Sequence, residues 1–276
     1  MFSTEINYEV VTYSVGDTKA GTKMGKLQLK NPEDNTLLNC ILWEETIKRM
    51  DSKIFRSGNI LRIVSGSFNE KYNNCLVSAI ELVEEALIGL TNEQTTDYYN
   101  KFITYIDKIK EDKKREFLIN FFKEHESQFK IAPAAKMMHH NYMGGLLVHT
   151  LECLQFADKV VETAFQKINT DDLYLACILH DIGKIFEYKI DTESGLIDYN
   201  EDFKKDWLTH TQYGFNLCMN NGFKQAARMI AAHHGRIEWG AMIDLNEKDL
   251  EPCVYLVHHI DDLLAKFGKI KPTMLK

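Results

Sequence analysis

Apolar positions change their spacing about a third of the way along the chain. Before that point, short segments of alternating or continuous apolar residues are separated by Gly, Asn, Pro and Asp, which is typical of strands. Residues 25–30, 37–43, 59–66 and 74–83 have this character, and residues 44–50 predict one short helix. Four or five strands interrupted by one helix predict a small Greek-key barrel of the OB type.

In the remainder of the chain, apolar residues recur every three or four positions, the spacing of helices that bury one face. Two helices are predicted between about residues 92 and 129. Helices then dominate residues 146–267, with one interruption at 188–200. The pattern therefore predicts a multidomain chain with an N-terminal barrel and an all-α domain. Its three segments are a barrel at 1–88, a helical linker at 89–135 and the all-α domain at 136–276.

Composition narrows the class of protein. The 276 residues are 45% hydrophobic and 26% charged, as in ordinary soluble globular proteins. Apolar runs are too short to span a bilayer and the N-terminus lacks the features of a signal peptide, so we expect a cytoplasmic protein without a membrane partner. The six cysteines are scattered singly, which excludes a thiolate zinc knuckle. A net charge of −7 disfavours a broad basic surface for nucleic acid, although a local groove remains compatible with it.

The predicted barrel carries such a local excess of basic residues. Residues 17–62 contain nine Lys or Arg against six Asp or Glu, with aromatic residues interleaved. Trp43, Phe55 and Arg62 are candidates for a single-strand platform, on which bases stack on rings and phosphates meet cations. The alternative is that Trp43 and Phe55 fill the barrel core, as large aromatic residues commonly do in small domains.

Histidines are concentrated in the second half of the chain, and several share a face with apolar residues. The run Leu173–Ile185 (LYLACILHDIGKI) closes an apolar helix with His180 and Asp181, and Gly183 is expected to end that helix. Helical spacing places His149 on the buried stripe of the preceding helix. Further candidate positions downstream are His210, His233, His234 and Asp261.

Binding of a divalent metal ion explains these inward polar residues better than separate burial of each residue in the core does. One inward histidine is usually a hydrogen-bonded core residue, but so many unpaired polar groups in a core would each carry a large desolvation cost. Imidazole and carboxylate ligands without thiolate suit Mn²⁺, Fe²⁺, Co²⁺, Ni²⁺ or Zn²⁺. Paired ions of this kind support hydrolysis of phosphate esters.

These residues resemble the signature of the HD-domain phosphohydrolase superfamily. His149, then His180-Asp181, then Asp261 matches its H…HD…D pattern, and residues 180–184 reproduce the variant HDIGK. The resemblance implies an all-α domain in which these four residues bind a first metal ion and Asp181 bridges to a second. It also implies that Lys184 contacts substrate phosphate, although a lysine near a helix end also favours the helix dipole. The further ligands that the resemblance implies are His210, His233 and His234.

A closer resemblance covers nearly the whole chain. An OB-type barrel, a helical linker, the block HHNYMGGLLVHT at 139–150, HDIGK and HHG at 233–235 together look like the YhaM-type 3′→5′ exoribonucleases. The resemblance implies an exonuclease for single-stranded RNA, with DNA as a second candidate, and two divalent ions, Mn²⁺ being favoured. Asp181 and Lys184 are then the expected catalytic residues. His139 and His140 are candidates for substrate contact.

Two other functions fit the same residues. An HD domain also serves phosphohydrolases of free or cyclic nucleotides, because a fold does not fix the substrate. A nucleic-acid-binding protein with a purely structural HD domain is the non-enzymatic alternative. The sequence leaves open a homo-oligomer, the identity of the metal and which of His233 and His234 is a ligand.

Overall fold

The chain divides into two compact units. The structure, a computed structural model, describes residues 3–86, 88–136, 140–164, 167–192, 195–206 and 208–267. The first unit comprises residues 1–88 and 191–196, and the second comprises residues 89–190 and 197–276. None of the helices in the described ranges is long and apolar enough to cross a membrane.

The first unit is a closed five-stranded barrel, which confirms the predicted fold class. The strands follow the order β1-β2-β3-β5-β4 around the barrel, and β3 and β5 pair in parallel. Helix α1 (Glu44–Lys48) and a short 3-10 helix (Ser52–Phe55) connect β3 to β4. The strands are β1 (Asn7–Asp17), β2 (Lys23–Lys30), β3 (Leu37–Trp43), β4 (Ile60–Asn69) and β5 (Asn74–Glu84).

Alternating positions of these strands fill the barrel. In β2, for example, Leu27 and Leu29 are buried while their neighbours are more exposed, which is the period-2 pattern of a sheet with one buried face. Phe55 closes the core from the 3-10 helix, where its ring stacks on Tyr13 with centroids 4.3 Å apart. Phe55 therefore belongs to the core of the barrel.

The second unit is helical, with one small hairpin. Helices α2 and α3 share a single apolar core with the helices that follow them, so Phe102 and Phe122 of this pair pack edge to face inside it. The three-part division of the chain stays a prediction. The helices are α2 (Asn92–Lys108), α3 (Asp112–Ile131), α4 (Gly145–Thr163), α5 (Thr170–Leu179), α6 (Lys184–Glu187), α7 (Glu201–Lys205), α8 (His210–Asn220), α9 (Lys224–Ala232) and α10 (Val254–Phe267). The hairpin of β6 (Tyr188–Ile190) and β7 (Ile197–Tyr199) is the interruption that the sequence predicts within the helices.

Helix α5 ends earlier than the sequence suggests. Its last residue is Leu179, His180 caps it, and a turn follows before α6 begins. The expectation that Gly183 ends the helix was wrong, because Gly183 has ordinary right-handed torsion angles (φ −61°, ψ −18°) and precedes the start of α6. The glycine is required for another reason, a close approach to His210.

Candidate metal centre

Asp181 occupies the centre of a buried polar cluster. It follows the C-cap of α5, where the helix gives way to a turn, and both His180 and Asp181 are nearly inaccessible to solvent. The two carboxylate oxygens of Asp181 face different groups of imidazoles. The cluster therefore has two halves that share one side chain.

The first half brings together residues of α4, α5 and α10. His149 Nε2 lies 3.3 Å from His180 Nε2 and 3.0 Å from Asp261 Oδ1. Asp181 Oδ2 lies 3.6 Å from His149 Nε2 and 3.5 Å from His180 Nε2. The H…HD…D residues thus converge on one small volume, although 112 positions separate His149 from Asp261 in the sequence.

The second half gathers imidazoles from α8 and from the end of α9. His210 Nε2 lies 3.1 Å from His234 Nε2. Asp181 Oδ1 is 3.5 Å from His210 Nε2 and 3.7 Å from His233 Nε2. His233 and His234 both border this half, so the structure favours neither over the other by position alone.

Backbone carbonyls fix the tautomers of three of these rings. The Nδ1–H groups of His180, His233 and His234 donate to the carbonyl oxygens of Cys177, Ile230 and Trp239, at 2.9, 2.7 and 2.7 Å. A carbonyl oxygen can only accept, so each neutral ring presents the lone pair of Nε2 to the cluster. Among the residues that the structure describes, no hydrogen-bond partner is found for the buried His233 Nε2.

Electrostatics keep the two carboxylates charged and favour the neutral form of His180, His233 and His234. Burial opposes ionisation of Asp181, but the Lys184 cation and the surrounding imidazoles outweigh it and hold the pKa of Asp181 well below its ordinary value. Burial likewise opposes ionisation of Asp261, but its hydrogen bond to His149 lowers the pKa of that carboxyl. Burial also holds the pKa of His233 well below its ordinary value. Charged carboxylates and neutral imidazoles are the forms that bind metal.

Cys153 lies near the first half but is a poor candidate ligand. Its Sγ is 3.7 Å from His149 Nε2, and with His149 and His180 it forms a group of suitable ligand spacing. Burial, however, raises the pKa of the Cys153 thiol well above its ordinary value, so the thiol keeps its proton. The ionised Asp261 is the better fourth member. All six cysteines lie in the described part of the chain and are free thiols.

The residues present fit a pair of divalent ions. His234 directs its Nε2 lone pair at His210 Nε2, 3.1 Å away, and His233 Nε2 is a buried acceptor facing the same side of Asp181. Such an arrangement is repulsive by itself and becomes favourable around a cation. His149, His180, Asp261 and Asp181 would hold one ion, and His210, His233, His234 and Asp181 would hold the other. This assignment stays a prediction, and it agrees with the bridging role expected of Asp181.

Lys184 is tied to the shared carboxylate. Its Nζ donates to Asp181 Oδ2 at 2.6 Å, and the side chain is almost wholly buried. A cation in this position is within the cluster rather than on the solvent side of a helix end. Lys184 is therefore an ion-pair partner of Asp181, and its contact with phosphate stays a prediction.

The other predicted substrate residues lie in different surroundings. His140 is buried beside the first half, where its Nε2 is 2.8 Å from Glu152 Oε2 and its Nδ1 is 2.9 Å from Tyr142 Oη. Its ring centroid is 6.0 Å from that of His149. His139 lies outside the described residues. A substrate-contact role for His140 stays a prediction, and this ring is held by neighbours instead of projecting to solvent.

Within the barrel, the three predicted contacts separate into two kinds. Trp43 is 49% exposed, so its ring is available for stacking. Arg62 is half-exposed and donates from Nε to Glu81 Oε1 at 2.6 Å. Phe55 is only 2% exposed, and the prediction of base stacking by this residue is corrected, because a ring enclosed in the core offers no face to a base.

Two residues beside the cluster had no recognised signal in the sequence. Glu187 Oε2 accepts from His210 Nδ1 at 2.6 Å. Trp239 lies in a 3-10 turn after α9, with its carbonyl on His234 and a side chain that is 63% exposed. The turn has no helical periodicity, and a glutamate three positions after Lys184 looks like any exposed helix residue. Only the fold brings them to the histidines.

Comparison with known proteins identifies the domain that carries this cluster. Residues 146–266 match the family model of the HD domain. A search of the solved structures finds no match for the chain. The helical region therefore carries an HD domain, which implies metal-dependent phosphohydrolase activity. The match begins just before His149 and ends after Asp261, so it encloses all the predicted ligands.

Proposed function

We propose that this protein is a metal-dependent 3′→5′ exonuclease that removes nucleotides from single-stranded RNA, with single-stranded DNA as a second substrate. The observation that carries the proposal is Asp181, whose two oxygens face separate imidazole clusters in a domain that matches the HD family. Such a shared carboxylate suits two ions acting on one phosphodiester.

The residues of the cluster have distinct tasks in this reaction. When bound, divalent ions, for which Mn²⁺ is our first choice, would supply activation of water and neutralisation of charge on the phosphoryl oxygens. Asp181 would keep the two halves at a fixed separation. Lys184, which bonds Asp181 Oδ2 at 2.6 Å, would balance that carboxylate and add a positive charge where the phosphate enters.

Features of both units support a polynucleotide as substrate. The barrel has the closed five-stranded form that binds single strands in other proteins, and Trp43 and Arg62 are exposed on it. In the helical unit, the exposed Trp239 ring belongs to the residue whose carbonyl holds His234. A ring in this place suits stacking on the terminal base of the strand.

A digest of a 5′-labelled RNA oligonucleotide tests the proposal. With Mn²⁺, we expect a ladder that shortens from the 3′ end and the release of nucleoside 5′-monophosphates. The matched control is Asp181→Asn, which keeps the shape of the side chain and removes the charge shared by both halves. An RNA that stays intact while free or cyclic nucleotides are hydrolysed would replace the exonuclease with a nucleotide phosphohydrolase. Strand binding without any hydrolysis would favour the non-enzymatic alternative.

A further inference from the structure

The hydrogen bond between Glu187 and His210 is unlike the bonds made by the other rings of the second half. His233 and His234 donate from Nδ1 to backbone carbonyls, at 2.7 Å each. His210 donates from Nδ1 to a side-chain carboxylate, Glu187 Oε2, at 2.6 Å. Both of these side chains are largely buried, at 11% and 15% exposure, so water weakens the bond little.

The bond acts on the ring nitrogen that faces the cluster. Because a carboxylate accepts the proton on Nδ1, the tautomer of His210 is fixed and Nε2 carries the lone pair. That Nε2 lies 3.5 Å from Asp181 Oδ1 and 3.1 Å from His234 Nε2. A negatively charged acceptor also makes the ring a stronger electron donor, as in carboxylate–histidine–metal arrangements generally.

Helix α6 links this bond to the shared carboxylate. The helix begins at Lys184 and ends at Glu187, a single turn. Lys184 at its start holds Asp181 Oδ2 at 2.6 Å, and Glu187 at its end holds His210. One turn of helix therefore holds both the Asp181 carboxylate, through Oδ2, and one imidazole of the second half.

We propose that Glu187 is a positioning residue that sets the affinity of the second metal site through His210, while leaving the first site unaffected. The inference rests on the two-ion centre of the proposed function. Glu187 belongs to the second half only, because its hydrogen bond goes to His210, and the first half is built from His149, His180 and Asp261. Removal of the Glu187 carboxylate should therefore weaken metal binding at the second site and leave the affinity of the first site unchanged.

Titration of the metal-stripped full-length protein with Mn²⁺ by calorimetry tests this inference. We expect two ions to bind the wild type. In Glu187→Ala the ion of the second half should lose about 10- to 100-fold in affinity, the usual effect of removing the acceptor behind a ligating histidine. Glu187→Gln should fall between the two, because its amide oxygen still accepts the Nδ1 proton without the charge. Glu162→Ala is the matched control, since Glu162 is an exposed glutamate of the same unit that pairs with Lys159.

The possible results separate a failure of the role of Glu187 from a failure of the two-ion centre. A wild type that binds two ions, with Glu187→Ala binding both as tightly, overturns the role of Glu187 and leaves the proposed function intact. A loss of both ions together with a lower unfolding temperature of the metal-free variant means that Glu187 only supports the fold, and also overturns it. A wild type that binds fewer than two ions refutes the two-ion centre itself, and this is seen before any variant is made.

Discussion

The contact between Gly183 and His210 allows a steric test of the second half of the cluster. A Cβ on Gly183 would lie 2.5 Å from His210 Cα and 2.9 Å from its carbonyl oxygen. Carbon atoms normally approach to about 3.5–4.0 Å, so alanine needs roughly 1 Å of additional room against the backbone of α8. Overpacking of this kind costs about 1–3 kcal/mol. Alanine at an unstrained φ returns about 0.4–1 kcal/mol through the unfolded chain, so the central values of about 2 and about 0.7 kcal/mol leave a net destabilisation of about 1.3 kcal/mol.

Two measurements on Gly183→Ala check this value. For a domain of this size, 1 kcal/mol corresponds to about 2–4 °C, so scanning calorimetry of the metal-free protein should show a decrease of about 3–5 °C in unfolding temperature. Displacement of His210 should also weaken the second Mn²⁺. The control is Gly16→Ala, where nothing lies within 4 Å of the new methyl group and we expect a change within about 0.5 kcal/mol. A Gly183→Ala protein with wild-type unfolding temperature and Mn²⁺ affinity would refute the reasoning.

Three further predictions concern pH, metal and substrate. Burial lowers the pKa values of His180, His233 and His234. Below about pH 6.5 the unfolded chain therefore binds more protons than the folded one, and the metal-free protein should lose stability as the pH falls. At His149 burial is outweighed by the Asp261 carboxylate and the pKa rises, so this one group opposes the effect of the other three on the pH dependence of stability. Equal urea midpoints at about pH 5.5 and 7.5 would contradict this prediction. Added Mn²⁺ at about 100 times its Kd should stabilise the folded state by about 2.7 kcal/mol for each ion bound, and EDTA should reverse both this gain and the activity. An unfolding temperature insensitive to Mn²⁺ argues against metal binding by the cluster. Trp239→Ala should raise KM for an oligonucleotide while Trp239→Phe largely restores it, and equal KM values for all three proteins exclude stacking by this ring.

Local patterns were sufficient for most of the fold. Alternating apolar positions predicted four of the barrel strands, and their order around one helix predicted the OB-type barrel. Strand β1 was not among them, because only Tyr8 and Val10 of its 11 residues are buried and burial does not alternate along the rest of the strand. Phe55 could not be assigned to core or surface from its neighbours in sequence, since a 3-10 helix has no strand alternation to follow.

The sequence by itself determined which residues of the regular helices face inward and which chemistry the histidines among them carry. Helical phase indicated His149, His180 and Asp261, because the faces of helices are local properties of the chain, and the resemblance to the H…HD…D signature added Asp181. How these faces meet was decided by tertiary packing alone. Only the packed helices show that the two oxygens of Asp181 serve separate clusters and that Glu187 supports His210. Contacts between distant segments depend on where whole helices end and cross, and no short-range pattern of residues encodes that.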